Sequence, residues 1–574
     1  MVWIHPIAAG VDRPPEVIGG KAHGLIALRR LGLPVPPGFV VTTAACRAFL
    51  RDGRFPPGLR AELDAAVARL EAETGRALGD AIRPLVVSVR SGGAVSMPGM
   101  MTTVLGVGLT ARATAGLLAE TGDARFAVDS RLRFLTGWAT GVAGLSRESV
   151  DRAAYGGPVA GAAATTDRGD TVDADDGGTV GTVPGIVRAV AAGWDVDRLV
   201  RARTGGSVPD DAGDQLDRAV ASVFSSWRTP RARTYRALHG IPDDRGTAVV
   251  VQAMVFGNRD GRSGTGVAFS RSPTTGAPVP YGDLLIGHQG DDVVSGRTPT
   301  RPLGELADRE PGVWAGLLAA LDRLEEHYRD ACSVEFTYES GVLRLLQARP
   351  GGFAGRAAVA VAVDLAEAGV IDRAEAVLRI SPGALRDVRT PRIVLPAPDE
   401  VLTRGLGASP GVAVGRLATS AESAVRLAAQ GPVVLVRPET SPADLSGLAV
   451  AAGVVTARGG TASHAAVVAR SLGRAAVVGA ARLTVDASGA RVVTAGRVLS
   501  EGTLIALDGT GGEVVLGRPR VETAAADPRL ERLLRWADGF AGGDGEGDRT
   551  GDGARGRTEA ERLSAARAVL RGTG

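Results

Sequence analysis

Lysine is almost absent from this 574-residue chain: of its 66 lysines and arginines, only Lys21 carries an ammonium group. Lysine is a compact point charge on a flexible stem and arginine is a planar fork. A position that stays lysine in an arginine-rich chain therefore points to a task such as following a shifting phosphate oxygen. Cysteine is scarce too. Cys46 and Cys332 lie far apart without metal-ligand spacing, which excludes a zinc motif and a disulfide framework and leaves two inert core thiols as the expectation. Aromatic residues make up 4% of the chain and hydrophobic residues 44%, so cores of Val, Ala and Leu are expected. No apolar run approaches the roughly 18 residues of a membrane span. Met1 to Pro6 also lacks a basic segment leading into an apolar one. No membrane partner and a cytoplasmic location are expected. The net charge is only +3, with Arg interspersed among Asp and Glu, so no nucleic-acid partner is expected either.

Glycine, by contrast, is plentiful, with 80 residues, and the length suits roughly three or four domains. A Gly-Gly turn precedes a helical run from Ala22 to Leu31, which places Lys21 at a helix start, where free N–H groups and the dipole favour an anion. The run Phe39 to Thr42 and the run Leu85 to Arg90 read as strands. The loop Ser91 to Met101 between strands is long enough to close over a phosphate chain. Gly156 to Gly185 has no period and reads as a mobile excursion. Thr247–Phe256 and Gly264–Arg271 are β-branched runs around Gly257-Asn258-Arg259-Asp260-Gly261, which predicts a hairpin. A second hairpin is predicted over 334–349. Residues 352–380 have helical spacing, and prolines from Pro382 to Pro398 mark a linker. The Gly, Asp and Arg composition of 542–556 predicts a disordered tail, with a short amphipathic helix from Glu559 to Leu570 after it.

Two constellations carry chemistry. In Arg458-Gly459-Gly460-Thr461-Ala462-Ser463-His464, an apolar strand leads through two glycines into a helix whose first turn holds His464. A phosphate on that imidazole would meet helical N–H groups, with Arg458 near enough to neutralise charge. The ring also titrates near neutrality, as a phosphoryl-accepting nucleophile should. The second constellation is Glu335 with Gln347 and Arg349. Alternation puts Gln347 and Arg349 on one strand face, and a hairpin brings Glu335 beside them. A carboxylate and an amide oxygen can share Mg2+ with ATP phosphates while an arginine holds an oxygen directly.

These residues resemble the pyruvate phosphate dikinase family and, more loosely, phosphoenolpyruvate synthase. The matching strings include Gly19-Gly20-Lys21, Val87 to Gly92, Met97-Pro98-Gly99-Met100-Met101, Gly246 to Val249, Ser263 to Phe269, Glu335-Phe336-Thr337, Gln347-Ala348-Arg349, Glu439-Thr440-Ser441-Pro442 and Gly459 to Arg470. The resemblance implies an α/β multidomain fold. An ATP-grasp nucleotide-binding region at 1–350 would be followed by a helical linker at 351–400, a swivelling β/β/α phosphohistidine domain at 401–517, and a short helix and tail at 518–574. It implies that Lys21, Arg90 and Arg349 hold ATP phosphates, that Glu335 and Gln347 hold Mg2+ beside ATP, and that His464 is the covalent carrier. In such enzymes the histidine takes the β-phosphate of ATP and AMP leaves, while the γ-phosphate goes to phosphate or water. The Met-Pro-Gly-Met-Met loop favours the dikinase branch.

The departures from the family pattern are Ser333, where an acid is usual, Thr102, where an Asp is expected, and Ala462, where a regulated threonine is common. Family members continue into an α/β barrel that binds pyruvate and phosphoenolpyruvate. The expectation is therefore a phosphoryl-loading half that works with a separate barrel protein. The alternatives are a small-molecule phosphotransferase similar to the rifampin phosphotransferases and a nucleotide-binding paralogue without turnover.

Overall fold

The computed structural model describes residues 2–572 apart from 96, 98–99, 156–182, 296–297, 299, 354, 383–384, 386–387, 389–390, 395–399, 462, 487–489, 495, 524–526 and 543–557. The excursion expected at 156–185 falls outside the described residues up to 182, as does nearly all of the tail expected at 542–556 and the Pro98-Gly99 step. The described residues form a mixed α/β chain that divides into two compact units. One comprises Met1–Ser263 with Thr337–Gln347, the other Gly264–Phe336 with Ala348–Gly574. The division after Ser263 lies inside the 1–350 region that the sequence reading groups together.

The first unit is built on a five-stranded antiparallel sheet, in the order Ile4–Pro6, Gly38–Val41, Ala248–Ala253, Val87–Gly92, Thr103–Val107. The middle strand pairs Val40 with Val250 on one side and Val251 with Val89 on the other. Val249, Val250 and Val251 are all buried, so both faces of this strand are covered and its sequence reads as a continuous β-branched run rather than an alternating one. The helix Pro15–Arg30 turns Ile18, Ala22 and Leu25 inward at helical spacing.

The hairpin predicted around 257–261 is not there. Ala248–Ala253 lies in the middle of the first sheet, whereas Gly264–Phe269 pairs with Tyr281–Ile286 in a different one. The connecting stretch is held by Arg259, which reaches Glu120 and Glu339 at 2.8 Å each. Locally it has hairpin chemistry, but Ala248–Ala253 takes its partners, Gly38–Val41 and Val87–Gly92, from far back in the chain, and Gly264–Phe269 pairs onward with Tyr281–Ile286. The second predicted hairpin is present, as neighbouring strands Cys332–Glu339 and Val342–Pro350.

In the second unit, Gly355–Glu367, Arg373–Arg379, Pro528–Ala541 and Glu559–Gly572 share one core, with Val363, Leu530, Leu533 and Leu563 fully buried. The helix predicted from Glu559 is thus formed and packed.

The strands between Val401 and Leu516 of that unit are layered. An eight-stranded sheet has four consecutive parallel strands at its centre: Val412–Ala418, Val433–Arg437, Gly453–Thr456 and Ala475–Val478. The crossovers between them carry Ala421–Ala428, Leu445–Val450 and His464–Ser471, whose Ala424, Leu448, Ala465 and Ala469 pack on one sheet face. Val492 and Leu499, from the three-stranded sheet Thr484–Asp486, Arg491–Thr494, Arg497–Ser500, join the core on the other face. His464 follows the carboxyl end of a central parallel strand, which is where α/β sheets place their ligands.

Candidate functional site

Lys21 is placed by a backbone contact. Gly19 has φ 76° and interrupts the Pro15–Arg30 helix, so that a new helical start begins at Gly20. A Cβ at Gly19 would overlap the carbonyl oxygen of Gly92, and the Gly20 amide donates to the Gly93 carbonyl at 3.0 Å. Only glycine permits both the positive φ and this approach. Lys21 therefore begins its helix against the end of the strand Val87–Gly92, and a Cβ built on Gly92 would touch the Lys21 Cβ at 3.4 Å. Arg90 is half-buried two residues upstream on that strand, opposite Val250 and Thr103. The structure thus brings Lys21 and the Arg90 strand together. Beyond that strand, Met97, Met100 and Met101 pack against Trp227 and Ala232. Arg231 donates to the Met100 carbonyl at 3.0 Å, anchoring the far end of the loop.

Glu335 and Gln347 are half-buried and Arg349 is exposed, on neighbouring strands. None of the three makes a side-chain hydrogen bond or ion pair with a described residue. Among the described residues no cluster of three His, Cys, Asp or Glu could hold a metal ion. A carboxylate and an amide oxygen with no protein partner fit Mg2+ that takes most of its remaining ligands from phosphates and water.

The histidine loop is assembled from side chains. Ser463 stands at the N-cap and His464 opens the helix His464–Ser471. The Nδ1 of His464 lies 3.0 Å from the buried Thr440 hydroxyl. When Nδ1–H donates to Thr440, Nε2 keeps its lone pair and can act as a nucleophile. Burial holds the ring below the ordinary imidazole pKa, and Asp444 offsets part of that. Asp444 is itself buried, paired with Arg437 at 3.1 Å, and accepts from the Ser441 amide at 2.8 Å. Arg458, expected to neutralise phosphoryl charge, instead pairs with Glu439 at 3.1 Å.

Farther along the loop, the Thr461 hydroxyl donates to Asp283 at 3.1 Å, and Thr300 donates to the same carboxylate at 2.9 Å. A Cβ at Gly460 would collide with both Asp283 and Thr300. Arg470 is buried and donates to the carbonyls of Ala408 and Thr461 at 2.8 Å each. Burial lowers its pKa to about 10, against the attraction of Asp283 and Tyr281. Thr440, Asp283, Thr461 and Arg470 were not singled out in the sequence as site residues. Thr440 lies 24 positions from His464 and Asp283 lies 178 from Thr461, and no local period marks either pair.

Comparison with known proteins shows which family the chain resembles. The family model for the pyruvate phosphate dikinase AMP/ATP-binding domain matches residues 15–60 and 50–310. A pyruvate, phosphate dikinase from Rhizobium meliloti (strain 1021) is 39% identical over 561 residues, covering 93% of this chain and 60% of that protein. The chain belongs to the pyruvate phosphate dikinase family.

Other pyruvate phosphate dikinases align just as broadly. Pyruvate, phosphate dikinase 2 of Zea mays is 41% identical, over 91% of this chain and 58% of its own length. The chloroplastic enzyme of Flaveria trinervia is 40% identical, over 91% of this chain and 54% of its own. The chain thus spans somewhat more than half the length of the dikinases it matches. The mobile domain of PEP-utilising enzymes matches residues 429–512, which hold Thr440 and His464. These dikinase matches give no support to a separate barrel protein as partner. Among the described residues no helix is long and apolar enough to cross a membrane.

Proposed function

We propose that this chain is the phosphoryl-loading portion of a pyruvate phosphate dikinase, with His464 as the carrier. The observation that supports the reading most is the half-buried imidazole at a helix start, with Nδ1 engaged by Thr440 and Nε2 left as the nucleophile. In the proposed step Nε2 forms a bond to the β-phosphorus of ATP. The bond from that phosphorus to the oxygen bridging the α-phosphate breaks, and AMP leaves with the electron pair. The γ-phosphoryl group then passes to inorganic phosphate, as the dikinase relatives suggest, and the remaining phosphohistidine passes its group to pyruvate to form phosphoenolpyruvate.

Lys21, Arg90 and Arg349 hold phosphate oxygens in this reading, Lys21 through a charge that can follow an oxygen as it moves. Glu335 and Gln347 would hold Mg2+, which when bound neutralises phosphate charge. Partial burial keeps the ring neutral and therefore nucleophilic.

The test is to incubate the protein with Mg2+ and ATP labelled at the β-phosphate, then measure acid-labile, base-stable label together with released AMP. Label that appears in the wild type and is lost in His464→Ala supports the reading. A folded wild-type sample that releases no AMP and takes no label rejects it.

A further inference from the structure

Most of the described serine and threonine N-caps in this fold do the ordinary work of a cap, and Thr229, which does not, donates its hydroxyl to the Ser226 carbonyl at 2.9 Å instead. Ser420 accepts from the Ser423 amide at 3.0 Å and Ser441 from the Ala443 amide at 3.2 Å. Thr42 and Thr110 likewise accept from the amides of Ala45 and Ala113. Ser463, directly before His464, does not. Its backbone has the extended N-cap geometry, φ −63° and ψ 161°, yet its side chain makes no capping bond. The residue is 4% exposed, and its Oγ is buried without a hydrogen-bond partner among the described residues. A buried hydroxyl left in this state destabilises the fold, and alanine would fill the same place without that penalty.

The amides around Ser463 are also underused. The first intrahelical bond at this end runs from the Val467 amide to the Ser463 carbonyl, so the amides of His464, Ala465 and Ala466 precede any intrahelical acceptor. Together with the unpartnered hydroxyl they form a set of donors beside the ring, at the positive end of the helix dipole. The ring's other polar atom, Nδ1, is already occupied by Thr440.

We propose that Ser463 is a phosphoryl-binding residue. When Nε2 of His464 carries a phosphoryl group, the Ser463 hydroxyl turns about its single side-chain bond and donates a hydrogen bond to a phosphoryl oxygen. No bond to serine forms or breaks. The ligand class is a tetrahedral phosphoryl group on the neighbouring imidazole, and the hydroxyl stabilises it and the transfer state that leads to it. The inference rests on His464 being the carrier, and it explains why a destabilising hydroxyl is kept at this position.

The experiment compares wild type, Ser463→Ala and Ser463→Thr in the full chain, using Mg2+ and β-labelled ATP. The readouts are the rate of label uptake, the half-life of the label at neutral pH, and the thermal midpoint. If Ser463 binds the phosphoryl group, Ser463→Ala takes up label roughly ten- to a hundredfold more slowly and loses it faster, with an unchanged or raised thermal midpoint. Ser463→Thr, which keeps a hydroxyl, recovers much of the rate. If Ser463 is a structural cap, Ser463→Ala lowers the midpoint while the folded fraction labels normally, and that result overturns the proposal. Wild-type uptake and half-life in Ser463→Ala overturn it as well, leaving the carrier role of His464 intact. A wild type that never labels removes both.

Discussion

The surroundings of Lys21 and of His464 are both helix starts, but they are built in opposite ways. At Lys21 the contacts are backbone to backbone: Gly19 lies against Gly92, and the Gly20 amide bonds the Gly93 carbonyl. At His464 they are side chain to side chain, through Thr440, Asp444, Arg437, Thr461 and Asp283. Backbone contacts tolerate no added atoms. Polar side-chain contacts can be removed one at a time. Substitutions at the contacting glycines of the first region should therefore break the fold, and substitutions of polar side chains at the second should break the chemistry and leave the fold standing.

The largest expected effect is that of Gly19→Ala, which adds a Cβ against the Gly92 carbonyl at a φ of 76°. It should cost about 3 kcal/mol or more, seen as a lowered thermal midpoint and early proteolysis of residues 1–263. A variant of wild-type stability contradicts the close contact. Lys21→Ala leaves the Gly19 and Gly20 contacts in place and should slow label uptake roughly a hundredfold with the fold retained. Equal loss of stability and labelling would mean that Lys21 is structural.

Thr440→Val removes the partner of Nδ1 and should slow uptake about tenfold. In the wild type, burial depresses the His464 pKa, so the neutral ring persists as pH falls. The acidic limb of the labelling profile should then lie below the ordinary value of 6.5, and a limb at or above that value contradicts the buried ring.

The smallest effect concerns Glu120, whose carboxyl Arg76 and Arg259 hold at about 2. Its folded pKa lies below the ordinary 4.5, so its contribution to stability is full above that value and is lost as pH falls toward 2. Glu120→Gln should remove that part of the acid sensitivity, at a cost of about 1 kcal/mol near neutrality, readable in denaturant titrations at two pH values.

Much of this arrangement was legible in the residues. Gly19-Gly20-Lys21 and Gly459 to His464 both announce a helix start through local chemistry, and both helices are found there. The strand at 248–253 was legible as a strand but not in its pairing. The turn residues 257–261 fit a hairpin, whereas burial of Val249 and Val251 against Phe39, Val41, Val87 and Val89 depends on residues far away in the chain. Thr440 appeared in a matching string, yet nothing in its neighbourhood says that it faces an imidazole. Asp283 lies on a strand of mixed pattern where a buried carboxylate has no local signature.

The scarcity of lysine has a practical consequence. Lys21 supplies the only side-chain amine in the chain, and it is half-buried where its helix meets a strand end. An acylating reagent selective for primary amines therefore has one internal target, and protection of that target by added nucleotide gives a footprint of occupancy without any engineered reporter.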